Sequence, residues 1–216
     1  MKRREFSKTV LQLSAGVLGG ATSLWAPAQG AGGRGFVQVT PPAPVDAPAG
    51  KIEVVEFFSY NCPHCAHFEP ELEAWLKKLP ADVAFRRVPV PFIGDFEAKQ
   101  RLYYTLEALG KVDALQQKVF DAIHVQHVAM SGDKATLAWL GAQPGIDKSK
   151  VADVYNSFSV VGKTKRATQL TEAFKLEGVP AIGVGGQFLT DGTLAGSMTR
   201  ALSLTDEVIA QMHKTK

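Results

Sequence analysis

The stretch IEVVEFFSYNCPHCAHFEPELEAWLKKLP, Ile52 to Pro80, decides the fold. Its opening, Ile52 to Phe58, is β-branched and aromatic, bounded by Gly50 and Ser59, and too short for an ordinary helix. It reads as a buried strand. From Pro63 onward the period changes: Phe68, Leu72, Trp75, Leu76 and Leu79 recur at helical spacing until Pro80 closes the pattern. Pro63 suits the first helical position, where its missing N–H would have no partner. Pro70 lies inside the pattern and predicts a kink. Val83 to Val90 reads as a second strand ending in a Pro-rich turn, which makes a strand–helix–strand unit.

Downstream, Phe96 to about Val161 is helical throughout. Leu102, Leu106 and Leu109 form one stripe; Val112, Leu115, Val119 and Ile123 a second; Thr136 to Leu140 a short third; Val151, Val154, Phe158 and Val161 a fourth. Tyr103, Tyr104, Phe120, Trp139 and Phe158 are more large side chains than one core face needs, so the block is expected to help form an apolar groove, with Trp139 and Phe158 reading rather as core. Another helical pattern, Thr164 to Leu176, stops at Gly178. Strand character returns at Ala181–Val184 and Gln187–Leu189, joined by Gly185-Gly186, a hairpin signal. A last helix is expected near Thr205–His213, with Thr205 as its cap. Residues 29–50 read as a linker with an extended lead-in around Phe36–Val39. The expectation is an α/β fold in which a sheet domain, residues 51–95 plus 164–216, is split by an all-helical insertion, residues 96–163.

The chain has 216 residues, 45% hydrophobic, enough for a substantial core. Its formal charge of +3 invites a nucleic-acid reading, but Lys2, Arg3, Arg4 and Lys8 against Glu5 account for all of it. Residues 29–216 are neutral, with 20 basic and 20 acidic side chains, and lack the excess charge that holds a polyanion. Residues 1–28 read as a signal peptide: a basic start, a moderately apolar stretch from Thr9 to Trp25, and Ala26-Pro27-Ala28 as a cleavage site. The Arg3-Arg4 pair is also compatible with a twin-arginine signal. An uncleaved anchor is disfavoured by the Gly, Ser and Gln content of the stretch. Each route leads out of the cytoplasm, to a compartment that permits disulfides.

Cys62-Pro63-His64-Cys65 holds both cysteines of the chain. A structural zinc site usually needs four ligands; with His64, His67, His124 and His127 available, such a site is conceivable but lacks a second Cys pair. A static disulfide over so short a loop stabilises little. A redox dithiol is the third reading, and the flanks favour it. A strand leads in and a helix starts at the motif, so orphan N–H groups and the helix dipole would hold a Cys62 thiolate.

The run from Glu56 to Cys65, then Phe68-Glu69, together with Gly178-Val179-Pro180-Ala181, resembles the DsbA family of bacterial periplasmic thiol:disulfide oxidoreductases. The likeness extends from about Val37 to the C-terminus. It implies a thioredoxin fold with a helical insertion, and oxidation of cysteine pairs in exported, folding proteins without a metal or other cofactor. It implies that Cys62 is the nucleophile, Cys65 the buried resolving thiol, and His64 the residue that most stabilises the thiolate, with Pro63 completing the motif. Val179-Pro180 would be a cis-proline loop beside bound peptide. Glu56 would be a buried acid under the cysteines, with Glu69 and Arg87 around it, although surface or strand-edge charge is an equal reading of Arg87. Tyr60 and Asn61 depart from a more aromatic run and leave the groove shape open. The implied partners are folding proteins with free thiols and a quinone-linked membrane reoxidase of the DsbB type; a monomer in the periplasm, binding no nucleic acid, is expected. The rival readings are a disulfide isomerase or reductase, for which residues 29–50 are too few to form a dimerisation domain, and a metal-binding chaperone using Cys62, Cys65 and His67.

Overall fold

The structure, a computed structural model, describes residues 35–214. The signal-peptide reading of residues 1–28 lies outside them. Strand β1 (Val37–Gln38) is a short edge element in the expected lead-in, and β2 (Ile52–Phe58) is buried along its whole length. Helix α1 (Pro63–Leu76) carries the chain across to β3 (Val83–Pro89), which pairs parallel with β2 from Ile52↔Val83 to Phe58↔Pro89. Parallel neighbours need such a crossover. Helix α1 continues through Pro70, which has no N–H to give the turn before it.

Five helices follow: α2 (Phe96–Ala108), α3 (Val112–His124), α4 (Gly132–Gly141), α5 (Val151–Tyr155) and α6 (Phe158–Ala173). The chain then returns to the sheet as the antiparallel hairpin β4 (Ala181–Val184) and β5 (Phe188–Asp191). Gly185 and Gly186 turn it with φ of 56° and 68°, the left-handed pair that a tight hairpin demands. A short α7 (Gly192–Ala195) and the long α8 (Met198–Lys214) close the chain. The sheet order is β1-β5-β4-β2-β3, mixed, with β2 between the parallel β3 and the antiparallel β4.

Helices cover both faces, which is why β2 carries apolar side chains on both of them, with Glu53 and Glu56 as its only polar residues. Ile52 and Val54 pack with Phe68, Leu72 and Trp75 of α1 and with Val208 and Ile209 of α8. Val55 and Phe57 pack toward the helical block, with Leu102, Leu106 and Val119. Each such burial contributes roughly 2 kcal/mol over exposure. Glu56 shares the α1 side with Ile52 and Val54, which places a carboxyl in the core beneath the start of α1.

Several sequence expectations are corrected. The patterns 151–161 and 164–176 do not meet at residue 163: α6 runs unbroken from Phe158, because buried Val160, Ala167 and Leu170 continue one stripe through Gly162. Tyr103, Tyr104 and Phe120 form no groove wall; they are core, edge-on to Phe58 or to one another. Trp139 is partly buried against that core. Phe158, expected in the core, is 98% exposed. Ser157 caps α6 by accepting the Val160 N–H, and two helical positions separate the inward Val160 from the outward Phe158. Thr205 is not a cap. It lies inside α8 and donates its hydroxyl to Ala201 O at 2.9 Å, because Ala201, Leu202 and Leu204 extend the buried stripe upstream.

Candidate active site

The segment after β2 turns sharply at Ser59–Asn61 and delivers Cys62 to the N-cap of α1, with Pro63 at the first helical position. The Cys62 N–H donates to Ser59 O at 3.0 Å. Both cysteines are free thiols. Cys65, one turn on, is fully buried, whereas Cys62 retains 5% of its surface, less than the open exposure its position in the motif implies. Pro63 and His64 are exposed above them.

Val179–Pro180 is a cis peptide bond, as expected for this loop, and the Cys62 thiol donates to Val179 O at 3.5 Å. The Cys-Pro-His-Cys segment and the Val-Pro loop, 117 residues apart, therefore meet at the Cys62 sulfur. Beside them opens a cleft of about 350 Å³, lined by His64, Val179, Pro180, Thr193 and Met198.

The sulfurs are driven apart in acidity. The Cys62 thiol is lowered to about 6, chiefly by the hydrogen bond from the Cys65 S–H, then by the backbone N–H groups of Cys65 and His64 and the His64 ring charge, against the opposing effect of burial. The family likeness makes His64 the main stabiliser of the thiolate; here it acts on Cys62 twice, through its backbone N–H and through its ring charge, alongside the Cys65 S–H and backbone N–H. Burial pushes the Cys65 thiol far up, helped by its S–H bond to Cys62 and the charges of Cys62 and Glu56.

Below the cysteines lies a buried ionic cluster. Arg87, on β3, sits 3.0 Å from Glu56 Oε2, 2.7 Å from Glu69 Oε1 and 2.6 Å from Glu73 Oε1. It is 6% exposed, so the reading of Arg87 as surface or strand-edge charge is wrong: register places it opposite Glu56, under α1. The Nε–Glu56 contact is off the hydrogen-bonding angle, and neither Glu56 oxygen has a hydrogen bond among the described residues. Burial raises both the Glu56 and Glu69 carboxyls, while Arg87 pulls them back. Burial disfavours the Arg87 charge, but Glu56 and Glu69 more than restore it.

Two sets of contacts escaped the sequence reading. Gln116, Phe120 and His124, spaced four apart on one face of α3, all grip Tyr60: Gln116 Oε1 accepts its hydroxyl at 2.5 Å, Phe120 packs edge-on to its ring at 5.1 Å, and His124 Nε2 lies 2.8 Å from its carbonyl. The recurrence at four residues was visible; its partner was not. Asn61 is tied to Ile93 and Asp95 in the turn before α2. The histidines do not assemble a metal site: His124 is committed to Tyr60, His67 is exposed while Cys65 is fully buried, and no group of three or more His, Cys, Asp or Glu positioned for a metal occurs among the described residues.

The DSBA-like thioredoxin domain matches residues 53–200. The thiol:disulfide interchange protein DsbA of Bordetella pertussis is 44% identical over 210 residues, covering 96% of this chain and 99% of its own. Its counterpart from Pseudomonas aeruginosa is 39% identical over 177 residues, 82% of this chain and 83% of its own. The crystal structure of Pseudomonas aeruginosa DsbA superposes with a TM-score of 0.79 at 38% identity, covering 84% of this chain and 93% of that one. DsbA from Xylella fastidiosa gives 0.76 at 30% identity, covering 83% and 95%. A strand-delivered Cys-Pro-His-Cys at a helix start, faced by a cis Val-Pro and backed by a helical insertion, thus has its match in sequence and in three dimensions, and the chain belongs to the DsbA family of thiol:disulfide oxidoreductases.

Proposed function

We propose that the chain oxidises cysteine pairs in exported proteins as they fold, with Cys62 as the sulfur that exchanges with substrate and Cys65 as its internal partner. In the disulfide form, a substrate thiolate attacks Cys62 Sγ. The Cys62–Cys65 bond breaks, its electron pair leaves on Cys65, and that sulfur takes a proton. The second substrate thiolate then attacks its own chain's sulfur in the mixed disulfide and expels Cys62 as thiolate. The substrate loses two electrons and two protons and gains a disulfide; the enzyme becomes the dithiol. The reaction needs no cofactor beyond the enzyme's own cysteines.

The observation that carries this reading is the divergence of the two thiols: Cys62 lowered to about 6 at a helix start, Cys65 buried and raised. A low-pKa thiol leaves readily, and a stabilised reduced form makes the disulfide oxidising. Reoxidation would fall to a quinone-linked membrane protein, and the periplasm would be the working compartment. The test is the reduction potential of the Cys62–Cys65 pair against glutathione, with oxidation of a reduced peptide followed in parallel. Cys62→Ser should abolish oxidation, and Cys65→Ser should accumulate mixed disulfides. A potential as reducing as that of a structural disulfide would overturn the proposal.

A further inference from the structure

Asp191 ends β5 and is the N-cap of α7. Its Oδ1 accepts from the Thr193 N–H at 2.8 Å and from the Leu194 N–H at 2.7 Å. Both bonds fall on that one oxygen, and the carboxylate forms no ion pair among the described residues. Asn or Ser caps a helix as well as Asp does, so the cap does not call for the charge. The register of the hairpin sets Asp191 opposite Ala181, the residue that follows the cis Val179–Pro180 bond. Paired residues on antiparallel strands stand about 5 Å apart at Cα. Val179 O in turn lies 3.5 Å from Cys62 Sγ. The pairing of β4 with β5 therefore delivers a carboxylate to the loop that faces the nucleophile.

The cleft beside Cys62, about 350 Å³, is lined by Asp191 together with His64, Val179, Pro180, Thr193 and Met198. Among all its lining residues, His64 and Asp191 are the titratable ones. Residues 29–216 carry no net charge, so a charge preference at this cleft comes from its own groups. Val179, Pro180 and Met198 offer apolar surface, and Asp191 sets a negative charge beside it. That combination suits an amphipathic cation: a Lys or Arg side chain lays its methylene stem on apolar surface and carries its charge at the end. An acidic side chain in the same place meets like charge. An extended substrate advances about 3.3 Å per residue, so a side chain two positions from the reacting cysteine starts about 7 Å from it. A Lys or Arg there is long enough to reach the hairpin.

We propose that Asp191 is a specificity-determining residue: its carboxylate receives a Lys or Arg side chain of an extended substrate, about two positions from the reacting cysteine, and disfavours an acidic one there. The same side chain then has two tasks, one oxygen capping α7 and the carboxylate charge selecting the substrate. The inference deepens the oxidase reading above and rests on it.

The experiment compares two reduced peptides with a cysteine pair, identical except for Lys or Glu two positions from each cysteine, with dithiothreitol as an uncharged dithiol. The parent protein should prefer the Lys peptide, read as a ratio of kcat/KM. Asp191→Asn is the principal variant, because Asn keeps the cap and with it the fold. Its ratio should fall roughly fivefold, mainly through KM. Asp191→Glu keeps the charge and should keep the preference. In 1 M salt, where the screening length is about 3 Å, the parent's ratio should fall toward that of the Asn variant. A parent without the Lys preference, a ratio unchanged in Asp191→Asn, or equal losses in the Asn and Glu variants, with dithiothreitol still oxidised by the parent, overturns the charge selection alone. A parent protein that oxidises neither peptide nor dithiothreitol overturns the oxidase reading and the selection with it.

Discussion

Reducing the Cys62–Cys65 disulfide should change stability in a way that depends steeply on pH. The Cys62 thiol falls from an ordinary value of 9.0 to about 6 in the fold. Because the folded value is depressed, the thiolate contribution is fully present above the unfolded pKa and is lost as pH falls through about 6. From these two values, the reduced protein gains about 1.4 kcal/mol at pH 7, about 2.7 kcal/mol at pH 8 and less than ~0.1 kcal/mol at pH 5. Solvent at the edge of the sulfur makes these upper figures. The oxidised protein has no thiolate and gains none of this.

The oxidised form has its own advantage, the restriction of its unfolded chain by a four-residue loop, which is small for so short a loop. That advantage does not vary with pH. Glu56 and Glu69 are present in both redox states, so their titration cancels to first order. The measurable signature is therefore the slope: the stability of reduced minus oxidised protein should rise by about 1.3 kcal/mol from pH 5 to pH 7 and by a similar amount from pH 7 to pH 8. At roughly 2–4 °C per kcal/mol for a chain of this size, the reduced protein's Tm should gain on the oxidised one by about 3–5 °C over the first interval. Folding and reduction form one cycle, so the potential relative to an unfolded dithiol should shift by about 30 mV over the same interval. Paired thermal and urea unfolding, with and without reductant, measures the slope directly. A gap that stays constant from pH 5 to pH 8, or closes as pH rises, would refute the assignment of the thiolate to Cys62 in this environment.

Three further outcomes follow from the same geometry. His64→Ala keeps the backbone N–H that faces Cys62 but removes the ring charge, so the Cys62 pKa, read from thiolate absorbance, should rise by about one unit or less. Arg87→Met removes the charge that holds the buried Glu56 and Glu69 down to about 8 and about 7, so both carboxyls rise further; urea unfolding should show a loss that grows as pH rises from 7 to 9, where the parent protein ionises them more readily than the variant. Phe158→Ser should change stability by less than ~0.5 kcal/mol, whereas Phe120→Ala, inside the helical block, should cost about 3–5 kcal/mol; equal effects would contradict their opposite burial.

The sheet, the crossover helix, the hairpin and the two cysteines were legible because each has a local signature: an apolar run, a helical period, a glycine pair, a motif. What was missed depends on register or on contact across the chain. Arg87 looks like any strand-edge cation until β3 is aligned with β2, which sets it opposite Glu56 and under Glu69. Phe158 shares its stripe with Val161 in the sequence, but the Ser157 cap fixes the phase of α6 and turns the ring outward. Thr205 has the chemistry of a cap, yet the hydroxyl is satisfied within the helix. Asn61 and Asp95 are 34 residues apart and carry no motif; only the fold shows that one amide takes both of its acceptors from a single turn.

The two sulfurs are best understood as one proton shared unequally, and this gives the reaction its direction. The strongest donor to the Cys62 thiolate is the Cys65 S–H, a group that exists only when Cys65 is a thiol. Burial keeps Cys65 protonated, and the nearby Glu56 charge adds to that effect. In the mixed disulfide proposed above, substrate is bonded to Cys62 while Cys65 waits as a buried neutral thiol, a poor nucleophile. Its attack on Cys62, which would return the substrate reduced, is therefore slow. The second substrate thiol is not so restrained, and the sulfur it must displace is the low-pKa Cys62, a good leaving group. The same burial that makes Cys65 useless as a free nucleophile thus drives the intermediate forward to oxidised substrate. The cluster of Glu56, Glu69 and Arg87, set beneath the cysteines by the pairing of β2 with β3, adds its charge to that environment without touching the substrate.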